Sequence, residues 1–419
     1  MIDVKEVPSK NTLNTIQISK NKVPHHQMMR VLKNHLHEIP YNGKDTFLNT
    51  PVLVSQNYVE STNRLCSILN NVIQKIVENY FNDVRIREIY NLDPALEEML
   101  KMASKQPYEI GLYRPDFIYN KSGKPKICEI GCRYPVNGWI LSFYLNDAVE
   151  NLQLQTKRSI NSTDFLSTFT DNFQKDKRLY LVHDNEKGTE IHYLLKKLNS
   201  IGFESFSIHP KDIVLENNEL KVNGTKANQF ILEMDREELK KFDSKVLEKV
   251  IENGICINDI RTLILVHDKR ILAVMYDEEI MSDYIPKVIH EYLKKYLIPS
   301  YTMNTLEKRN KFITSNKNWV LKNNSGGRGI GMYVKNDCDS KIWEHTITNQ
   351  WEKYMIQEFV EQKKFPLEYK EENQDIHIVG MLLCHNDVSF GPGLFRGSSE
   401  NIINLHQERG VVLPCLVNS

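Results

Sequence analysis

At 419 residues the chain exceeds the size at which a single hydrophobic core usually divides, so two or three lobes are expected. Hydrophobic residues make up 41% and charged residues 26%, a globular composition that excludes a disordered chain. Lys plus Arg equals Asp plus Glu at 54 each, and zero net charge removes the broad positive footprint of a nucleic-acid binder, leaving room only for a local patch.

No apolar run approaches a membrane span, and Met1-Ile-Asp-Val-Lys5 carries no apolar leader, so a cytoplasmic protein without a membrane partner is expected. Seven cysteines without a paired spacing fit a reducing compartment. Cys128 and Cys132 have no CxxC companion, which argues against zinc. Nothing in the composition sets an oligomeric state.

Residues 1–50 give no element. His25, His26, His35 and His37 lack acidic or thiol partners at ligand spacing, and they read as a solvated helix rather than a metal site. From Ser55 the apolar positions Val59, Leu65, Ile68, Leu69, Val72, Ile73, Ile76 and Val77 fall on one helical face. Asp93 and Pro94 open a second helix, as a cap followed by a first-turn proline. The period then changes. Residues 111–119 and 125–130 read as two strands about a turn at 120–124, a hairpin that sets Asp116 and Glu129 side by side. Residues 178–240 alternate strand (178–183), helix (188–201), strand (203–208) and strand (229–233), which indicates a small parallel sheet covered by helices. No low-complexity linker separates the lobes, so they should be tightly joined.

Further on, Trp319-Val-Leu-Lys322 is a strand, and residues 331–335 resume one. The glycines between them, Gly326, Gly327 and Gly329 with Arg328, then form a hairpin tip. A P-loop or a dinucleotide fingerprint would open a helix here, and a kinase glycine loop would precede its lysine, so those three are excluded. What remains is either a flexible flap whose amides and Arg328 cover polyphosphate, or an ordinary glycine turn. Gln357, Glu358, Phe359 and Val360 end a short buried strand suited to an adenine edge, with Glu358 placed to reach a ribose or a metal. Residues 375–381 begin another strand. Arg396 then projects from a glycine-rich turn, followed by Asn401 and Asn404.

Two carboxylates on neighbouring strands suit Mg²⁺, a hard cation usually held by one or two carboxylates and substrate phosphates. Arg114 on the same strand could neutralise a phosphate, although alone it reads more simply as a cross-strand ion pair with Glu129.

Taken together these segments resemble the ATP-grasp superfamily, specifically the circularly permuted carboxylate–amine ligases of the glutathionylspermidine synthase and eukaryotic glutathione synthetase group. There the metal hairpin, of form R-x-D…E-x-N, precedes the lysine and glycine lid. The resemblance runs from about residue 50 to the end. It implies an α/β (α+β) fold of permuted ATP-grasp type, with a small Rossmann-like βαβ substrate lobe and a β-hairpin lid. Its parts would be a helical region at 1–105, a core at 106–175 and 366–419, a parallel lobe at 176–300 and a lid at 301–365. It implies ATP and Mg²⁺, and small-molecule carboxylate and amine substrates. Arg114 and Arg396 would contact the transferred phosphate or acyl phosphate, and Asp116 and Glu129 the metal. Lys269 and Lys322 would be the two nucleotide lysines, and Gln357, Glu358, Phe359 and Val360 the adenine hinge. One position departs, because Gly131 stands where the group has its metal-binding asparagine. Asn401 or Asn404 are possible substitutes, and a non-catalytic nucleotide-binding protein is the alternative reading. Arg236, in Asp-Arg-Glu-Glu, reads as a solvated charge or, less simply, as a partner for a substrate carboxylate.

Overall fold

The computed structural model describes residues 16–36, 46–150, 157–158, 162–184, 190–327, 329, 331–369, 372–400, 403, 405 and 410–418. It is a mixed α/β fold with several separate sheets. The central one is antiparallel. The 14-residue strand Glu372–His385 lies at its middle, flanked on one side by Leu112–Tyr119 and Pro125–Gly131 and on the other by Phe395–Ser398 and Val411–Leu413. Tyr113, Phe117, Ile127, Ile378 and Leu382 bury one face of it against the helix Gln56–Glu78. Ser55 caps that helix by accepting from the Tyr58 amide, and its predicted apolar positions are buried except Val59, which is partly so. Asp93 caps Pro94–Ala103 as expected, whereas the short helix Val84–Tyr90 between them was too brief to leave a periodic signature.

The sheet of the 178–260 region is parallel, in the order Ile255–Ile257, Gln229–Leu232, Leu179–Val182, Ser205–Ile208, with Ile191–Ser200 and Ser244–Asn253 as crossover helices. A three-stranded meander, Ile213–Glu216, Glu219–Val222 and Thr225–Lys226, interrupts it, a feature the sequence reading did not anticipate. The third main sheet pairs Ser300–Tyr301, Tyr354–Glu358, Trp319–Asn323 and Tyr333–Val334. This sheet has a core of its own, in which Phe312, Trp343 and Ile347 from the helices Leu306–Thr314 and Ser340–Asn349 pack on Trp319, Leu321 and Ile356.

The histidine-bearing helix is present as His25–Leu36, with His26 and His35 on its exposed side; its other face is not solvated but buries Met28, Met29, Leu32 and Leu36, and the His35 ring stacks on Tyr144 at 4.5 Å. His37 lies outside the described residues. Among the described residues no group of three His, Cys, Asp or Glu side chains is placed to hold a metal, and no helix is long and apolar enough to cross a membrane.

Asn258 joins the parallel sheet to the central hairpin. Its buried side chain accepts from the Leu112 amide at 2.7 Å and donates to the carbonyls of Leu112 at 2.7 Å and Cys132 at 3.1 Å. Asn258→Ala strands these three backbone groups, and we expect a loss of about 3 kcal/mol, read as a lower urea midpoint. An unchanged midpoint would show that the bracket contributes nothing.

Candidate active site

A cleft of about 1060 Å³, measured to its open mouth, lies between the central sheet and the sheet that carries Lys322. Its floor is Ile118, Cys128, Glu129, Val379 and Arg396. The strand register sets Ile118, Val379 and Arg396 in one row across three strands, so they share a face. Overhead stand Val320, Lys322, Met332 and Val334, with Gly326 and Gly329 at the loop. Ile298 and the expected segment Gln357, Glu358, Phe359 and Val360 close the inner end, and Lys269 enters from the side. One cavity therefore gathers residues that the sequence spreads over more than 260 positions.

The hairpin reaches this arrangement through an irregularity. Phe117 opposes Ile127, but Asp116 opposes Glu129, so Cys128 is an extra residue, a β-bulge. Without it Asp116 would face Cys128. The bulge turns both Cys128 and Glu129 toward the cleft, and it exposes the Cys128 carbonyl to Lys322 Nζ at 3.0 Å. Burial pushes the Cys128 thiol up to about 12. Pro115 leaves its mark on the other side of the strand, where the ladder to Glu372–His385 is interrupted at Arg114 and Pro115.

Asp116 is fully buried, and both of its oxygens are taken. Oδ1 accepts from Arg114 Nε at 2.7 Å, and Oδ2 accepts from Arg114 Nη2 at 3.1 Å and from Arg396 Nη2 at 2.5 Å. Arg114 thus pairs along its own strand rather than with Glu129. Gly131 lies directly across from Arg114, and a β-carbon there would sit 3.4 Å from its Nη2. Glu129 faces the cleft, 3.7 Å from Lys269 Nζ. Burial alone would raise its carboxyl, but Lys269, Lys322, Arg396 and Arg114 together hold it down to about 2. Burial lowers Lys322 from the usual lysine range. Nε of Arg396 is buried without a partner among the described residues.

The glycine loop is the tip of the expected hairpin. Lys269 Nζ donates to the Gly326 carbonyl, and the Lys269 amide donates to the Asn324 carbonyl at 2.8 Å, so the loop is tied to the segment that carries the first lysine. That segment follows a π-helical turn, Thr262–Val266. Gly329 adopts φ 68°, open to glycine and costly for other residues. Arg328, Asn401 and Asn404 lie outside the described residues. At the inner end Gln357 Nε2 donates to Ser300 Oγ at 3.0 Å, while the amides of Glu358 and Phe359 donate to the carbonyls of Pro299 and Asn318. Those two amides are committed to the sheet itself. Arg236 is neither solvated nor in the cleft, since its guanidinium is buried against Asp268.

Beside the cleft, residues 132–138 run across the carboxyl edge of the parallel sheet and meet groups that no local motif signalled. The Cys132 amide donates to His267 Nδ1 at 3.4 Å, and burial with Lys269 and Arg133 nearby pushes that ring down to about 3. Arg133 pairs with Asp235 at 3.2 Å. Glu190 accepts from the amides of Gly138 at 2.6 Å and Leu141 at 2.8 Å, capping the helix Trp139–Glu150. The Val136 amide donates to Glu233 Oε1 at 3.3 Å. Burial drives Glu190 up to about 7 and Glu233 up to about 8.

The AnkG N-terminal domain family matches residues 65–265, just under half of the chain. No curated protein matches. Among solved structures, D-alanyl-alanine synthetase A from Vibrio cholerae aligns at 10% identity over 49% of this chain and 68% of its own, with a TM-score of 0.29. A likeness that slight carries no argument.

Glu233 and Glu190 make stability depend on pH in a stated direction. Between about 4.3, the value of an unperturbed Glu, and about 8 the folded chain keeps a Glu233 proton that the unfolded chain has released, so stability falls as pH rises. Urea midpoints should therefore favour wild type over Glu233→Gln at about pH 5 and shift toward the variant by about pH 8. Parallel pH profiles would show that the carboxyl titrates normally.

Proposed function

We propose that the chain is an ATP-dependent ligase that joins a carboxylate to an amine through an acyl phosphate. The observation that carries this reading is the single cleft in which Glu129, Lys269, Lys322 and Arg396 converge beneath a glycine loop, next to an apolar slot. The order of the segments, hairpin before lysine and lid, resembles that of the permuted ATP-grasp ligases. On this reading 106–175 and 366–419 supply the floor, 301–365 the lid and 176–300 the substrate lobe.

A purine fits between Val320, Val334 and Met332 above and Ile118 and Val379 below, while Lys322, Lys269 and Arg396 receive the phosphates. The partnerless Nε of Arg396 is a donor of the kind a phosphate oxygen would satisfy. Glu129 fits Mg²⁺, being ionised and open to the cleft. Asp116 fits only after an arginine releases one of its oxygens. When bound, the ion would be held by Glu129 and would neutralise charge on the phosphates. The substrate carboxylate oxygen attacks the γ-phosphorus and the bond to the ADP oxygen breaks. The amine nitrogen then attacks the acyl carbon, loses a proton, and phosphate leaves. The cations stabilise charge as it develops on the transferred group, and the closed loop keeps water from the acyl phosphate.

The clamp on Asp116 favours a second reading, a protein that binds nucleotide without turning it over. In both readings Lys322→Ala removes a charge-assisted contact and should weaken Mg-ATP binding about 10- to 100-fold with the fold intact. Paired screening of amino acids and dipeptides should release ADP and phosphate only when carboxylate and amine are both present. AMP and pyrophosphate would overturn the acyl-phosphate route. Binding without turnover across the panel would establish the second reading, and full ATP-induced stabilisation of Lys322→Ala would place the nucleotide elsewhere.

A second test concerns the loop. Val at Gly327 and Gly329 should cut turnover at least about tenfold, since positive φ and close backbone approach are then lost. Unchanged kinetics would make the loop an ordinary turn.

A further inference from the structure

The apolar slot of the cleft has a polar inner end. Gln357, Glu358 and Gln362 line it there with side chains that form hydrogen bonds. Gln357 is buried and donates through Nε2 to Ser300 Oγ at 3.0 Å. Glu358 lies 3.7 Å from the Lys317 ammonium. Gln362 differs from both. Its Oε1 is buried and has no hydrogen-bond partner among the described residues. Buried polar atoms in folded proteins are nearly always paired, so an acceptor stranded in a cavity wall calls for a donor brought by a ligand or a water.

The strand register explains why this amide faces the slot. Asn120 follows the strand Leu112–Tyr119, and Gln362 pairs with it in an antiparallel bridge. The Lys363 amide donates to the Tyr119 carbonyl at 2.9 Å, which holds this segment against the end of that strand. Side chains alternate along a strand, so Asn120 shares the face of Ile118, and a residue directly opposite in an antiparallel pair lies on that same face. Gln362 therefore stands on the floor side with Ile118 and Val379, where one edge of a base lying in the slot would come. The residue as a whole is only partly buried. The last torsion of a glutamine is soft, so a small turn of the amide brings its oxygen to a donor in the slot.

Two backbone donors at this end are already taken, since the amides of Glu358 and Phe359 donate to the carbonyls of Pro299 and Asn318. We propose that Gln362 determines which base the slot accepts, its side-chain carbonyl receiving a hydrogen bond from the 6-amino group of adenine. This rests on the nucleotide site of the ligase reading and goes beyond it to base selection. A 6-oxopurine, hypoxanthine or guanine, presents an oxygen at the same place. Two acceptors then face each other, and each has lost its hydrogen bonds to water. A site built around one hydrogen bond rejects an analogue that lacks the matching group far more strongly than an apolar pocket rejects a missing methylene.

Three triphosphates separate the effects. ATP carries the 6-amino group, purine riboside triphosphate carries hydrogen in its place, and ITP carries oxygen. Calorimetric titration with Mg²⁺ should show wild type binding them most tightly in that order, with ITP at least about tenfold weaker than ATP. Gln362→Met keeps the length of the side chain without its amide, and it should bring ATP and ITP within about threefold of each other. The same variant should hold or raise the urea midpoint of the nucleotide-free protein, because it removes a buried acceptor that has no partner. Equal binding of ATP and ITP by wild type, tighter binding of ITP, or an unchanged ratio in the variant would overturn the proposal. Tighter ITP would mean that the amide nitrogen meets the base, and an unchanged ratio with a lower midpoint would leave a trapped water on Oε1. Should the variant not fold, the wild-type order decides alone. If none of the three binds, the nucleotide site itself falls and base selection with it, whereas equal binding of all three fells only the role of Gln362.

Discussion

The arrangement of the cleft depends on one buried carboxylate. Asp116 has no contact with solvent, and removing a charge from water costs several kcal/mol unless partners compensate it. Two guanidiniums do so here, one local and one from far along the chain. Arg114 lies two residues away on the same strand, and Arg396 lies 280 residues further on. The clamp holds the N-terminal hairpin and the C-terminal strands in one sheet at the point where the cleft floor must be continuous. It also fixes both arginines beside Glu129, where they add to the larger effect of Lys269 and Lys322 in holding that carboxyl low.

Much of this was legible in the sequence because the signals were local. The hairpin at 112–131, the strand ending in Lys322 and the glycine tip are patterns of alternation and turn chemistry, and the structure places each one there. Asp116 and Glu129 do lie side by side, yet the reason was hidden. Plain alternation would have paired Asp116 with Cys128, and the bulge that corrects this leaves no mark in composition. The packed face of the helix at 25–36 was not seen because its four buried residues are spread one or two per turn among its charged and histidine residues.

Glu190, Glu233, His267 and Arg133 were missed for a different reason. Each is defined by a partner far away in sequence, such as Val136 for Glu233 or Asp235 for Arg133. A buried carboxyl within a strand-loop junction looks like any surface acid until the backbone folded over it is known. The Arg236–Asp268 pair shows the same blindness in reverse, since a run of charges suggested solvent and the fold supplied a buried carboxylate.

The upper sheet has its own small core, and a side-chain contact ties its glycine loop to the segment below. Lys269 donates to the Gly326 carbonyl while standing 3.7 Å from Glu129, and so it spans floor and loop. A ligand under the loop would compete with the Gly326 carbonyl for that ammonium. Its capture would then be gated by unlatching, with an observed rate that climbs with ligand at low concentration and levels off at the opening rate. The same lysine lines the cleft, so once released its ammonium can turn to the ligand. The latch and the receiving group are one side chain.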